Sequence, residues 1–144
     1  MLKKTKVLAY IHRDCNGINE VLVFDHVDSP EAGTQVIGGT VEDGEDLREA
    51  LLREIIEESG LVFHIVDVHP VAQSTYHRKD ITEVNFRHYY QIEGSHLEDH
   101  WIHTVDSQGE DNNLRFKFYW LDISCAQTQL TGSMGEHLAR IQFP

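Results

Sequence analysis

The chain has 144 residues, 40% hydrophobic and 25% charged, with 24 acidic against 12 basic side chains and a formal net charge of -12. This length predicts one domain over 1–144, and the apolar share with only 3 Pro and 10 Gly excludes wholesale disorder. The charge excludes broad binding to a phosphate backbone, and no stretch approaches the roughly 18 apolar residues of a membrane span.

Cys15 and Cys125 form neither a disulfide framework nor a zinc pattern, so a reducing, cytoplasmic location is expected. Val7–Ile11 and Val21–Phe24 read as two strands joined through Asp14, Asn16 and Gly17, an opening hairpin. After a loop with Ser29, Pro30 and Gly33, Gln35–Ile37 forms a brief strand leading into Gly38 and Gly39. From about Asp46 to Ser59, Leu47, Leu51, Leu52, Ile55 and Ile56 recur at helical spacing, and Gly60 is placed to end the helix.

Leu61–Gln73 is β-branched, and Val84, Phe86, His88, Tyr90 and Ile92 alternate with Glu83, Asn85, Arg87, Tyr89 and Gln91, so these segments predict a second antiparallel pair. Gly94–Asn113 lacks periodicity and reads as a long loop. Leu114, Phe116, Phe118 and Trp120 mark the apolar face of another strand, while Met134, Leu138 and Ile141 have the spacing of a short second helix. Strands flanking two helices give an α+β fold, a mixed sandwich.

The chemistry concentrates after the glycine pair. Glu54, Glu57 and Glu58 lie at i, i+3 and i+4, so they project from one helix face within an arc of roughly 100°. A solvated Glu-rich face is the ordinary explanation of such a stripe. Here, however, the apolar residues occupy a different arc, which leaves the acids at the core's border facing a cleft. Divalent cations with a preference for hard oxygen ligands, Mg²⁺ or Mn²⁺, would offset the mutual repulsion. Arg53 can reach back to Glu45 and hold the preceding loop against the helix.

The order Gly39, five residues, Glu45, seven residues, Arg53-Glu54-Ile55, one residue, Glu57-Glu58, one residue, Gly60-Leu61 resembles the signature of the Nudix hydrolases without exception. The strand order on either side resembles a Nudix domain as well, with Ile37 standing where many relatives have proline. The resemblance implies an α/β/α sandwich with a mixed sheet between helices, in which a loop–helix–loop holds the metal. It implies Mg²⁺, with Mn²⁺ able to substitute, held by Glu54, Glu57, Glu58 and the Gly39 carbonyl, with Arg53 and Glu45 positioning the loop. The activity it implies is attack of water on the pyrophosphate bond of a nucleoside diphosphate linked to another moiety: a nucleotide, dinucleotide or sugar nucleotide.

Glu54 is the general-base candidate within the signature, and Glu98, Glu110 and Asp111 are possible extra acids from the long loop. Arg78 and Arg87 are candidates to meet phosphates, and Tyr76, Tyr90 and Trp101 to stack a base. His96, His100 and His103 would line one face of a helical turn, as zinc ligands do, although scattered histidines are more often structural. Two other functions stay open: removal of pyrophosphate from an RNA 5′ end, which needs an electropositive groove, and a nucleotide-sensing module without turnover. The expected partner is a small nucleoside diphosphate derivative, with no membrane and no extended nucleic acid, and a homodimer is a common outcome at this size.

Overall fold

A computed structural model describes residues 1–144. The hairpin forms between β1 (Leu2–Cys15) and β2 (Ile18–His26), with Cys15 opposite Ile18. Its turn rests on positive φ at Asn16 and Gly17 and on Asp14 Oδ1, which accepts the Gly17 amide at 2.8 Å. The remaining elements are β3 (Gly38–Thr40), α1 (Leu47–Ser59), β4 (His69–Arg78), β5 (Glu83–Glu93), β6 (Trp101–Thr104), β7 (Arg115–Asp122) and α2 (Ile123–Gln129).

The strands make one sheet in the order β4-β5-β1-β2-β7-β6, with β3 on β1. Only β1 and β5 run parallel, so the sheet is mixed. On the edge away from β5, β1 pairs with β3 over Lys6–Leu8 and with β2 over His12–Cys15. Gly38 and Gly39 therefore sit where the sheet divides.

Both faces are covered, which explains why Val7–Ile11 is apolar at every position rather than at alternate ones. Val7, Ala9 and Ile11 pack with Leu51 and Ile55 of α1, whereas Leu8 and Tyr10 pack with Ala126 of α2, Leu138 and Ile141. The result is the α/β/α sandwich. The helix α1 starts at Asp46, whose carboxylate accepts the Glu49 amide at 3.2 Å, and ends at Gly60 with φ +78.

Four sequence expectations are corrected. The strand expected at Gln35–Ile37 forms at Gly38–Thr40 instead, with only an isolated bridge from Gln35 to Phe24. The strand expected from Leu61 begins only at His69, after a 3₁₀ turn at Ile65–Asp67. The long loop contains β6, which pairs with β7. The second helix is α2, earlier in the chain, while Met134–Ile141 forms no α-helix. Positive φ at Gly132 and Ser133 breaks the chain there, and Gly135 lies against the Ala126 and Gln127 carbonyls at the end of α2. Leu138 and Ile141 are both buried and belong to a single 3₁₀ turn, Leu138–Arg140, in which the Ile141 amide donates to the Leu138 carbonyl at 3.2 Å.

Candidate active site

The capped helix and the glycine pair bring the acidic stripe to the divided edge of the sheet. Glu54 and Glu57 are half-buried, and Glu58 is only 5% exposed. The Glu54 carboxylate packs on Gly39, where any Cβ would overlap it. Burial, followed by the adjacent Glu54, holds the Glu58 carboxyl well above the usual range; the charge of Asp111 adds to this and the Gly38 backbone partly offsets it. Burial and the charge of Glu54 also raise Glu57, while Arg53 opposes the shift.

Arg53 organises the loop. Its Nε donates to Glu45 Oε2 at 2.8 Å and its Nη2 to Glu45 Oε1 at 2.9 Å, a two-pronged ion pair that lowers the Glu45 carboxyl. Its Nη2 also donates to the Thr40 carbonyl at 3.2 Å, tying β3 to α1. Its Nη1 lies between Glu54 Oε1, at 3.0 Å, and Glu57 Oε2, at 3.3 Å. With those two acids turned to the guanidinium, no three acidic or imidazole groups form a ready-made coordination set.

The donors nonetheless fit a divalent cation. They are hard carboxylate oxygens, one of them is buried with its charge destabilised, and the glycine beneath Glu54 leaves the carboxylate room against the backbone. Glu54, Glu57, Glu58 and the Gly39 backbone are the groups that would hold the ion.

The end of α1 is fixed by β6. The Trp101 indole donates to the Ser59 carbonyl at 3.2 Å, the Asp106 amide donates to the Glu57 carbonyl at 3.1 Å, and His103 Nε2 lies 3.2 Å from that carbonyl. Trp101 and His103 thus satisfy helix-end carbonyls, and the expectation of a base-stacking Trp101 gives way. His96, His100 and His103 share no helical turn, so the zinc alternative, the less favoured reading of these histidines, fails as well. His103 sits on a strand, His100 is exposed, and His96 packs edge-on against Phe63.

Beside Gly38 and Gly39 opens a cavity of about 360 Å³ lined by Lys6, Tyr76, Arg78, Asn85 and Arg87. Arg78 and Arg87 both reach it, but Tyr90 does not. Alternation along β5 turns Tyr90 into the core under α1, 7% exposed, so Tyr76 is the aromatic that reaches this cavity. Glu98 and Glu110 are exposed, and Glu98 contributes its carbonyl to the Trp120 indole at 2.9 Å. Of the three loop acids, Asp111 is the one whose charge is felt at Glu58.

Sequence reasoning missed Lys6 and Asn85. For Asn85 the available signal was the polar phase of β5, Glu83, Asn85, Arg87 and Gln91, all buried, whereas Lys6 of β1 carried none. A second cleft of about 730 Å³, lined by residues including His12, His69, Gln91 and Phe143, borders none of the helix carboxylates.

No curated relative matches the sequence. Among solved structures, a MutT NUDIX hydrolase from Burkholderia pseudomallei superposes with a TM-score of 0.72 at 18% identity, over 99% of this chain and 100% of that one. The E. coli dihydroneopterin triphosphate pyrophosphohydrolase gives 0.67 at 17% identity, covering 98% and 97%. The NUDIX domain of Shewanella oneidensis NrtR, complexed with ADP ribose, gives 0.68 at 13% identity, covering 97% and 86%. These likenesses show the fold. The NUDIX domain family profile matches residues 3–139, nearly the whole chain, and the chain therefore belongs to the Nudix hydrolase family.

Proposed function

We propose that this one-domain chain is a divalent-metal-dependent pyrophosphohydrolase that cleaves the phosphoanhydride of a nucleoside diphosphate derivative by attack of water on phosphorus. The observation that carries this reading is the adjacency of two opposite electrostatic surfaces. Gly39 touches the acidic stripe through Glu54 and also lines the cavity that holds Lys6, Arg78 and Arg87. A substrate whose anhydride lies at Gly39 meets both.

When bound, Mg²⁺ or Mn²⁺ supplies charge neutralisation at the phosphoryl oxygens and a more acidic water. Glu57 is assigned as the central ligand, flanked by Glu54 and Glu58 and the Gly39 carbonyl. Arg53 and Glu45 keep the loop against the helix so that these oxygens stay in register. Glu54 is the general base of the in-signature reading, and Asp111 is the loop acid best placed to assist. Lys6, Arg78, Arg87 and Tyr76 receive the rest of the substrate.

The test is product release from a panel of nucleotides with Mg²⁺, with Mn²⁺ and with EDTA. Turnover should require the ion, and Glu57→Gln should remove most of it, on the order of a hundredfold or more. Near-native, Mg²⁺-dependent turnover by Glu57→Gln would refute the ligand assignment. Binding without product in the wild type would instead favour a sensing module.

A further inference from the structure

Arg87 is anomalous among the arginines of this chain. Arg13, Arg53, Arg78 and Arg115 are ion-paired, and Arg48 and Arg140 are exposed. Arg87 is 5% exposed and in no ion pair. Its Nη1 donates to the Gly132 carbonyl at 2.7 Å and lies 3.2 Å from the Tyr89 hydroxyl, while the guanidinium stacks 3.9 Å from the centre of the Tyr76 ring. Those contacts orient the fork, but none supplies a negative charge. A buried guanidinium without a carboxylate is costly unless an anion completes it.

Its neighbour repeats the pattern. Lys6 lies opposite Arg87 across the β1–β5 ladder and opposite Thr40 across the β1–β3 ladder. Its ammonium donates to Thr40 Oγ1 at 2.6 Å and forms no ion pair. Burial, with Lys4 beside it, pushes that ammonium's pKa down, and the more distant charges of Glu83 and Glu54 offset this only in part. Arg78, the third cation of the cavity, is already committed to Asp80 and Glu83. Two free positive charges thus face one cavity in a chain whose net charge is -12.

The row Thr40, Lys6, Arg87 crosses three strands, about 10 Å at the usual strand spacing, and begins beside Gly39 and Glu54. A diphosphate gripped at Gly39 would engage Lys6 and leave Arg87 unmatched. A further phosphoryl group would complete it, because its oxygens supply the negative charge that the Arg87 fork lacks.

Resting on the hydrolase reading above, we propose that Arg87 and Lys6 form a phosphoryl-binding subsite beyond the scissile anhydride. The substrate class is therefore nucleotides with three or more phosphoryl groups, rather than two-phosphate molecules such as ADP-ribose or sugar nucleotides.

The binding arm titrates the protein in EDTA with inorganic pyrophosphate and tripolyphosphate. Tripolyphosphate should bind the wild type more tightly, and Arg87→Met should weaken it roughly tenfold or more, with part restored in Arg87→Lys. Lys6→Gln should weaken it comparably, and this second variant decides between the outcomes if Arg87→Met does not fold. Equal affinity for the two anions, or equal affinity in wild type and variants, overturns the subsite.

The kinetic arm compares ATP with ADP-ribose under Mg²⁺. The wild type should favour ATP in kcat/KM by roughly tenfold, and Arg87→Met should close that gap mainly through the KM for ATP. A wild-type preference for ADP-ribose, or a gap untouched by the variant, overturns the substrate class. Arg87-dependent tripolyphosphate binding without turnover of any nucleotide supports the subsite and removes the hydrolase reading instead.

Discussion

Glu54 places its carboxylate where a Cβ of residue 39 would stand, so any side chain at position 39 must displace it. Gly38, one residue earlier, meets something different: a Cβ there would lie 2.8 Å from the Val7 carbonyl oxygen and 3.2 Å from Leu8 Cγ. A carboxylate end can swing away at little cost, whereas a strand carbonyl cannot.

The two alanine substitutions should therefore separate. Gly39→Ala displaces Glu54 and should lower turnover by about tenfold or more, with stability changed by under about 1 kcal/mol. Gly38→Ala should cost about 1–3 kcal/mol of stability. Paired denaturation curves and initial rates check this, and equal stability losses would contradict it.

Arg53 holds Glu45 with two nitrogens and the Thr40 carbonyl as well, a set that a lysine cannot reproduce. Arg53→Lys should lose about 1–3 kcal/mol in EDTA, as the bidentate pair and the β3 tether go together. Glu45→Gln retains an acceptor and should lose less. Urea midpoints of both variants at one pH measure the order, and the reverse order would count against a tethering role.

Glu58 is buried beside like charges, so its ionised form works against folding when no cation is bound. Glu58→Gln should stabilise the protein in EDTA by about 1 kcal/mol. Mg²⁺ should stabilise the wild type, by about 2.7 kcal/mol at a hundredfold excess over Kd, and the variant much less. Thermal unfolding with and without Mg²⁺ reads both effects. A variant that gains as much from Mg²⁺ as the wild type would remove Glu58 from the ligand set.

Glu83 carries an acid dependence of opposite sign. The Asn85 amide donates to it at 2.9 Å, and this bond, with Lys4 and Arg78 nearby, holds its carboxyl below the usual range. Because its pKa is lower folded than unfolded, its contribution is present above the unfolded value of about 4.3 and is lost as pH falls through the folded value. Glu83→Gln should thus be less stable than wild type near about pH 6.5, and the difference should shrink towards about pH 3. Urea midpoints at the two pH values decide it, and a constant difference would contradict the linkage.

The spacing of Glu54, Glu57 and Glu58 was legible because helical neighbours at i+3 and i+4 follow from chain geometry alone. The ends of α1 were equally local, set by Asp46 and Gly60. The helix expected at Met134–Ile141 misled for the complementary reason. Buried residues three or four apart also arise where a broken chain crosses a core, and α2, with only Ala126 buried, carried no apolar stripe to reveal it.

By itself, the sequence determined the acidic helix, the glycines at its mouth and the family, since each is written in residues close together along the chain. Only the tertiary structure decided which residues meet in the cavity beside those glycines, on the sheet face away from that helix. Lys6, Tyr76 and Arg87 come from three different strands, and their meeting depends on a parallel β1–β5 register that no local pattern encodes. The same register turned Tyr90 into the core and Arg87 into the cavity, because alternate residues of a strand face opposite sides of the sheet.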